Sequence, residues 1–95
     1  MSEVYCVAVT LAKPDHLQAV KTALEKLIPL GQQEKGVLQY EMYVDQTEPR
    51  RFVFIEKWES AEDFQAHVNA PHVREFLRTT EGLIEENYFH PLFKH

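Results

Sequence analysis

Two histidines in the second half of the sequence have the residue type and position that acid–base catalysis needs. His67 follows Phe64 by three residues, at the border of a predicted apolar helical stripe, so its imidazole could face a cavity. Because histidine titrates close to neutral pH, such an imidazole could act as a general base. An ordinary, partly buried histidine bonded to a backbone group explains the same spacing. His72 follows Pro71 in the first turn of a predicted helix, where polar residues are also common without a catalytic role.

Glu56 is a carboxylate within a strongly apolar predicted strand, and it shares one strand face with Phe54 and Trp58. Burying an unpaired carboxylate is costly, so Glu56 must be paired or protonated there. It is therefore either a catalytic acid or base, or a structural partner of a tyrosine hydroxyl, a histidine or an arginine. The aromatic side chains that could wall an apolar pocket, or equally form an ordinary core, are Tyr5, Tyr40, Tyr43, Phe54, Trp58, Phe64 and Tyr88.

The sequence lacks the common motifs that hold metals, nucleotides and flavins. Its three glycines form no GxGxxG pattern and no phosphate loop, and there is no Cys-x-x-Cys or His-Glu-x-x-His motif. His67 and His72 are five residues apart, which places them about 140° apart around an ideal helix. A straight helix would thus keep them from sharing a metal ion, although a break at Pro71 loosens that argument. We expect no metal and no cofactor.

Composition excludes several classes of protein. The 95 residues are 44% hydrophobic and carry a net charge of −5. Binding to nucleic acid or to a membrane surface is disfavoured, because both usually need a basic excess and Arg50-Arg51 is the only adjacent basic pair. Residues 1–11 have no basic region or cleavage site typical of a signal peptide, and the lone Cys6 rules out an internal disulfide. The expected compartment is the cytoplasm.

The elements that must position these side chains follow from apolar periodicity and helix signals. Four segments are predicted strands: residues 4–12, 37–45, 51–59 and 84–93. A helix is expected to start at Pro14 and to be kinked or ended by Pro29. Ser60 and Asp63 form a predicted capping box for a second helix, which is interrupted before Pro71 begins another helical piece.

The order strand, helix, strand, strand, helix, strand predicts one α+β domain over residues 1–95. It is the ferredoxin-like βαββαβ arrangement, with an antiparallel sheet and the helices on one sheet face. The first, third and fourth strands look apolar on both faces. Since the helices of one chain cover only one face, we predict a homodimer in which a second copy covers the other. The space between each sheet and its own helices is then free for a small pocket.

A longer pattern connects these residues. Its members are the segment Phe-Ile-Glu-Lys-Trp-Glu-Ser at residues 54–60, followed by Phe64, His67, Pro71 and His72, with Gly36, Tyr40 and Asp45 before it. In this pattern the sequence strongly resembles the antibiotic biosynthesis monooxygenase family, over essentially the whole chain. The resemblance implies a dimeric α+β barrel, in which two ferredoxin-like sheets pack together with the helices outside.

Some members of that family resemble small quinol or anthrone monooxygenases that work without metal, flavin or nicotinamide. A deprotonated, electron-rich phenolic substrate can itself reduce dioxygen, so the protein needs a base, a hydrogen-bonding partner and an apolar pocket. The resemblance implies His67 as the base, with Glu56 or His72 in support. The implied pocket residues are Trp58, Tyr40, Phe54 and Phe64.

Other activities stay open at this stage. The family's haem-degrading branch is disfavoured, because residues 73–78 contain no histidine to bind iron. A second possibility is an isomerase or degradative enzyme for a small phosphorylated or keto metabolite, of the type that processes a quorum-sensing signal. Basic residues would then have to meet a phosphate. A third is a non-enzymatic dimeric module whose pocket only holds a hydrophobic ligand.

Overall fold

The computed structural model describes residues 2–95 and contains the predicted element order. The elements are β1 (Val4–Ala12), a short 3-10 turn (Pro14–His16), α1 (Leu17–Gly31), β2 (Val37–Val44), β3 (Arg51–Trp58), α2 (Ala61–Val68), α3 (Pro71–Thr79) and β4 (Ile84–Leu92). The second helical region is therefore two helices. Within residues 2–95, no helix is long and apolar enough to cross a membrane.

The four strands form one antiparallel sheet in the order β2-β3-β1-β4, which is the ferredoxin-like topology that the sequence predicts. The strand register places Cys6 of β1 opposite Glu56 of β3, and Tyr40 of β2 opposite Glu56 on the other side. Ala8 lies between Phe54 and Phe89 in the same way. Since directly opposite side chains point to the same face of a sheet, these residues share one face.

That face packs against all three helices and carries the core. Alternate residues of β3 point into it, and the apolar stripes of the helices cover it. The buried core side chains include Phe52, Phe54 and Trp58 of β3, Val20, Leu24 and Leu27 of α1, Phe64 of α2 and Phe76 of α3. The apolar residues that the sequence places on the inner faces of the strands and helices thus form one continuous core between the sheet and its helices.

The opposite face of the sheet has no helix over it within the described residues. The register places Val7 beside Ile55, and Val9 between Val53 and Tyr88, on this face. Ile55 and Tyr88 are exposed although they are large and apolar or aromatic, and so is Leu92, which is paired with Tyr5. The helix-free sheet face therefore does carry apolar side chains, as the sequence predicts. The second copy that would cover this face stays a prediction.

The chain between α1 and β2 is shaped by two close contacts. Helix α1 continues past Pro29 and ends at Gly31, because a proline so near the end removes only one hydrogen bond of the last turn. A Cβ atom at Gly31 would lie 2.3 Å from the ring of Tyr40. Gly36 has a φ of 80°, a conformation that favours glycine, and its carbonyl accepts a bond from Glu59 N–H at 2.8 Å. The loop between them carries Glu34.

The break between α2 and α3 follows from local sequence. Ser60 Oγ accepts a bond from Asp63 N–H at 3.1 Å, which confirms the predicted N-cap of α2. Ala70 has the extended backbone expected of a residue before proline, so α2 cannot run into α3. The turn places His67, at the end of α2, near His72, at the start of α3.

Candidate functional site

A cavity of about 420 Å³ lies between the helix-covered face of the sheet and the helices α1, α2 and α3. A volume of this size can hold a small organic molecule. Its apolar lining includes Leu24, Leu27, Phe54, Phe64, Phe76 and Phe89, and its polar lining includes Thr10, Tyr40, Glu56, His67 and Asn87. The few polar groups in an apolar wall are the usual way in which a site orients its ligand.

One carboxylate oxygen holds two imidazoles beside this cavity. Glu34 Oε2 lies 2.8 Å from His67 Nδ1 and 2.7 Å from His72 Nε2. A carboxylate oxygen only accepts hydrogen bonds, so each of these ring nitrogens donates its N–H to Glu34. A neutral His67 that carries its proton on Nδ1 has a free lone pair on Nε2. His67 is only 5% exposed, so Glu34 orients a buried ring.

The other side of the His67 ring meets Glu56 and Trp58. His67 Nε2 lies 3.6 Å from Glu56 Oε1, and Trp58 Nε1–H donates to the same oxygen at 2.9 Å. Burial raises the pKa of Glu56 above its ordinary value, while the Trp58 bond and nearby His67 pull it down. The Trp58 ring also stacks on the imidazole, with ring centroids 4.5 Å apart and planes tilted by 28°. Glu56 is thus a buried carboxyl group with a raised pKa that lies close to His67.

Tyr40 places a phenol in the cavity wall. Its ring meets the His67 ring edge-on, with centroids 5.2 Å apart, and packs on Phe54 at 4.9 Å. Burial raises the pKa of the Tyr40 hydroxyl, and the carboxylates of Glu56 and Glu34 raise it further, so the hydroxyl keeps its proton. Within residues 2–95 we find no hydrogen-bond partner for this hydroxyl, which leaves it available to a ligand.

The structure brings most of the predicted site residues together. The residues that line the cavity are His67, Glu56, Tyr40, Phe54 and Phe64. Trp58 and His72 do not line it. Trp58 is fully buried against Glu56 and His67, so it supports the polar pair instead of forming the predicted pocket wall. His72 lies beyond Glu34 and reaches His67 only through that carboxylate.

Glu34 is the residue that the sequence did not reveal. It lies in a polar loop next to Lys35, where a glutamate is usually solvated, and the turn at Gly36 is the only nearby signal. The argument that a helix holds His67 and His72 about 140° apart fails here, because the helix is broken between them. The ligand atoms of Glu34, His67 and His72 all lie within 4.8 Å of one another.

Thr10 and Asn87 form a second polar group in the cavity wall. Thr10 Oγ1 donates to Asn87 Oδ1 at 3.0 Å, and the two residues are paired across β1 and β4. Thr10 lies four residues along β1 from Cys6, the neighbour of Glu56. At the usual rise of a strand, this polar pair is about 13 Å from the Glu56 position. The cavity therefore has a polar group at each end of an apolar middle.

The comparisons with known proteins agree with this architecture. A family model described as antibiotic biosynthesis monooxygenase matches residues 4–79. The probable quinol monooxygenase YgiN of Escherichia coli is 30% identical over 79 residues, which cover 75% of this chain and 76% of YgiN. An uncharacterized Synechocystis protein is 28% identical over 72 residues, and the chain spans about half of its length (49%).

Among solved structures, the PA3566 protein of Pseudomonas aeruginosa superposes with a TM-score of 0.93. It is 26% identical, and the match covers 100% of this chain and 96% of that protein. The family model covers both the strand that carries Glu56 and the helices that carry the two histidines. The chain therefore belongs to the antibiotic biosynthesis monooxygenase family, whose name indicates a monooxygenase-type function.

Proposed function

We propose that this protein is a cofactor-independent monooxygenase that oxidises a small aromatic, quinol-like compound with dioxygen. One observation carries the proposal: Glu34 holds the Nδ1 side of His67, and the same imidazole lines an apolar cavity of about 420 Å³. An oriented imidazole beside an apolar cavity is the arrangement of a general base. The resemblance to YgiN, named as a probable quinol monooxygenase, supports the substrate class.

The reaction begins with proton transfer from a substrate hydroxyl to His67 Nε2. The resulting phenolate is electron-rich and can transfer electrons to dioxygen without a metal or flavin. For a quinol, one oxygen atom enters the ring and the other leaves as water, while the product is a hydroxyquinone. The substrate loses four electrons and dioxygen gains four, so no external reductant is needed.

Three further groups would assist this chemistry. The unpaired Tyr40 hydroxyl can donate a hydrogen bond to a substrate oxygen, which stabilises negative charge as it develops. Glu56, beside His67 Nε2, can relay the abstracted proton. The aromatic wall, including Phe54 and Phe64, excludes water from the reactive phenolate.

The functional unit in this proposal is a homodimer of one domain spanning residues 1–95. The resemblance to the antibiotic biosynthesis monooxygenase family implies a dimer. The exposed apolar side chains on the helix-free sheet face, such as Ile55 and Leu92, provide a surface that a second copy could cover. The cavity lies on the opposite side of the sheet and would stay accessible in such a dimer.

The two alternative functions fit the cavity less well. A phosphorylated substrate needs cations, and none of the cavity-lining residues in the described part of the chain is lysine or arginine. A histidine in a purely structural role need not face a cavity, whereas His67, held by the carboxylate of Glu34, also lines the cavity. Neither observation favours an isomerase or a binding module over a monooxygenase.

The test is dioxygen uptake by chelator-treated protein with a panel of monocyclic and bicyclic quinols. We expect quinol-dependent uptake that falls by at least about 100-fold in His67→Ala, because general bases contribute roughly 10²–10⁴-fold. His16→Ala is the matched control, since His16 is an exposed histidine of the 3-10 turn. Uptake no higher than the uncatalysed background would refute the proposal, and an unchanged rate in His67→Ala would refute the role of the base.

A further inference from the structure

We propose that Glu34, His67 and His72 also form a binding site for a divalent transition-metal ion of the Zn²⁺ type. Their ligand atoms, one carboxylate oxygen and two imidazole nitrogens, lie within 4.8 Å of one another. They come from three separate elements, the loop after α1 and the helices α2 and α3. Two imidazoles and one carboxylate are a common three-ligand set for zinc and for other first-row metals.

The distances from Glu34 to the two imidazoles are those of hydrogen bonds, and a metal ion can take the place of the two bonding protons. Zinc binds nitrogen and oxygen at about 2.0–2.2 Å, so two tetrahedral ligands lie roughly 3.4 Å apart. The Glu34–His67 and Glu34–His72 pairs are 2.8 and 2.7 Å apart, so each must open by about 0.6–0.7 Å. That movement is available, because Glu34 is in a loop and the His72 side chain is 21% exposed.

The surroundings of His67 resemble the outer shell of a metal site. A metal-bound histidine usually donates its other ring N–H to a carboxylate, which orients the ring. Here the other nitrogen, Nε2, lies 3.6 Å from Glu56 Oε1, and Trp58 Nε1–H donates a hydrogen bond to the same oxygen. Three protein ligands leave one tetrahedral position for water. Hard cations such as Mg²⁺ prefer oxygen ligands, so they should not bind here.

Metal binding would change what His67 can do. The metal replaces the proton on Nδ1, so a neutral ring must then carry its proton on Nε2. In that form His67 donates a hydrogen bond toward Glu56 and has no lone pair for a substrate proton. Metal occupancy and proton acceptance at His67 therefore exclude each other, and this consequence rests on the proposed function.

Calorimetric titration of the chelator-treated full chain with Zn²⁺ alone tests the site without any substrate. We expect one ion per chain and no comparable binding of Mg²⁺. His72→Ala should weaken Zn²⁺ binding by at least about tenfold, because even outer-shell partners are worth roughly 10- to 100-fold. Glu34→Gln should do the same, whereas His16→Ala should bind Zn²⁺ like the unmodified chain.

Nitrogen-15 NMR of the histidine rings tests whether the proton of His67 moves from Nδ1 to Nε2 when Zn²⁺ binds. The free protein should show His67 protonated on Nδ1, and the Zn²⁺-saturated protein should show it protonated on Nε2. Zn²⁺ binding that is unchanged in both His72→Ala and Glu34→Gln would overturn the site. A His67 ring that keeps its Nδ1 proton at saturation would overturn it as well. Neither result depends on dioxygen uptake, so a failure of the proposed function would be seen separately.

Discussion

Replacing Glu34 with alanine would test the central contact of the site, because one oxygen of this side chain holds two imidazoles. A hydrogen bond to a charged group contributes about 1.5–3 kcal/mol when buried. The bond to buried His67 should contribute at that level, and its loss would leave Nδ1 without a partner. The bond to His72 is partly exposed and should contribute about 0.5–1 kcal/mol. Relief of the repulsion between Glu34 and Glu56 acts in the opposite direction and reduces the total.

We therefore expect Glu34→Ala to lower the free energy of unfolding by about 2–3 kcal/mol. In a domain of this size such a loss lowers the melting temperature by roughly 10–20 °C. Urea denaturation at one fixed protein concentration, followed by the fluorescence of the single Trp58 and by circular dichroism, would measure it. Glu25→Ala is the matched control, since Glu25 is an exposed glutamate on α1 and its loss should change stability by less than about 0.5 kcal/mol.

A double-mutant cycle with His72→Ala would separate the two bonds. Glu34→Ala should cost about 0.5–1 kcal/mol less in the His72→Ala background than in the unmodified chain. A loss of stability no larger than that of Glu25→Ala would refute the reasoning, because it would mean that the carboxylate does not hold the imidazoles in solution.

Two further predictions concern the cavity wall. Gly31→Ala should lower the free energy of unfolding by about 1–2 kcal/mol, because the new Cβ would lie 2.3 Å from the Tyr40 ring and overpacking outweighs the better helix propensity of alanine. Urea denaturation would show this, and an equal or higher stability would contradict the close contact. Burial raises the pKa of the Cys6 thiol to about 12, so iodoacetamide should label the native protein at pH 8 at least about 100-fold more slowly than the unfolded chain. The labelling rate should rise as pH approaches 12, and fast native labelling at pH 8 would contradict a buried, neutral thiol.

Much of the fold could be predicted from the sequence, because the signals are local. The run of β-branched and apolar residues in β1 predicted its bounds, Val4–Ala12, and these are confirmed. The Ser60 N-cap and the helix start at Pro71 are confirmed too, since capping and proline geometry involve only neighbouring residues. The resemblance to the family, carried by the Glu56–Trp58 segment and the two histidines, is confirmed by the family model.

For the candidate site, less could be predicted from the sequence than for the fold. The sequence by itself indicated that Glu56 shares a strand face with Phe54 and Trp58, and that His67 borders the apolar stripe of its helix, since side-chain periodicity assigns residues to a face. Which sheet face lines the cavity was decided by the structure, because the strands are apolar on both faces. Only the tertiary structure decided that Glu34 meets His67 from 33 positions away, and that Trp58 stacks on the His67 ring while it bonds Glu56. A break between two helices turned both imidazoles toward one loop carboxylate. Such contacts depend on how separate elements pack in space, and no local pattern of residues records that packing.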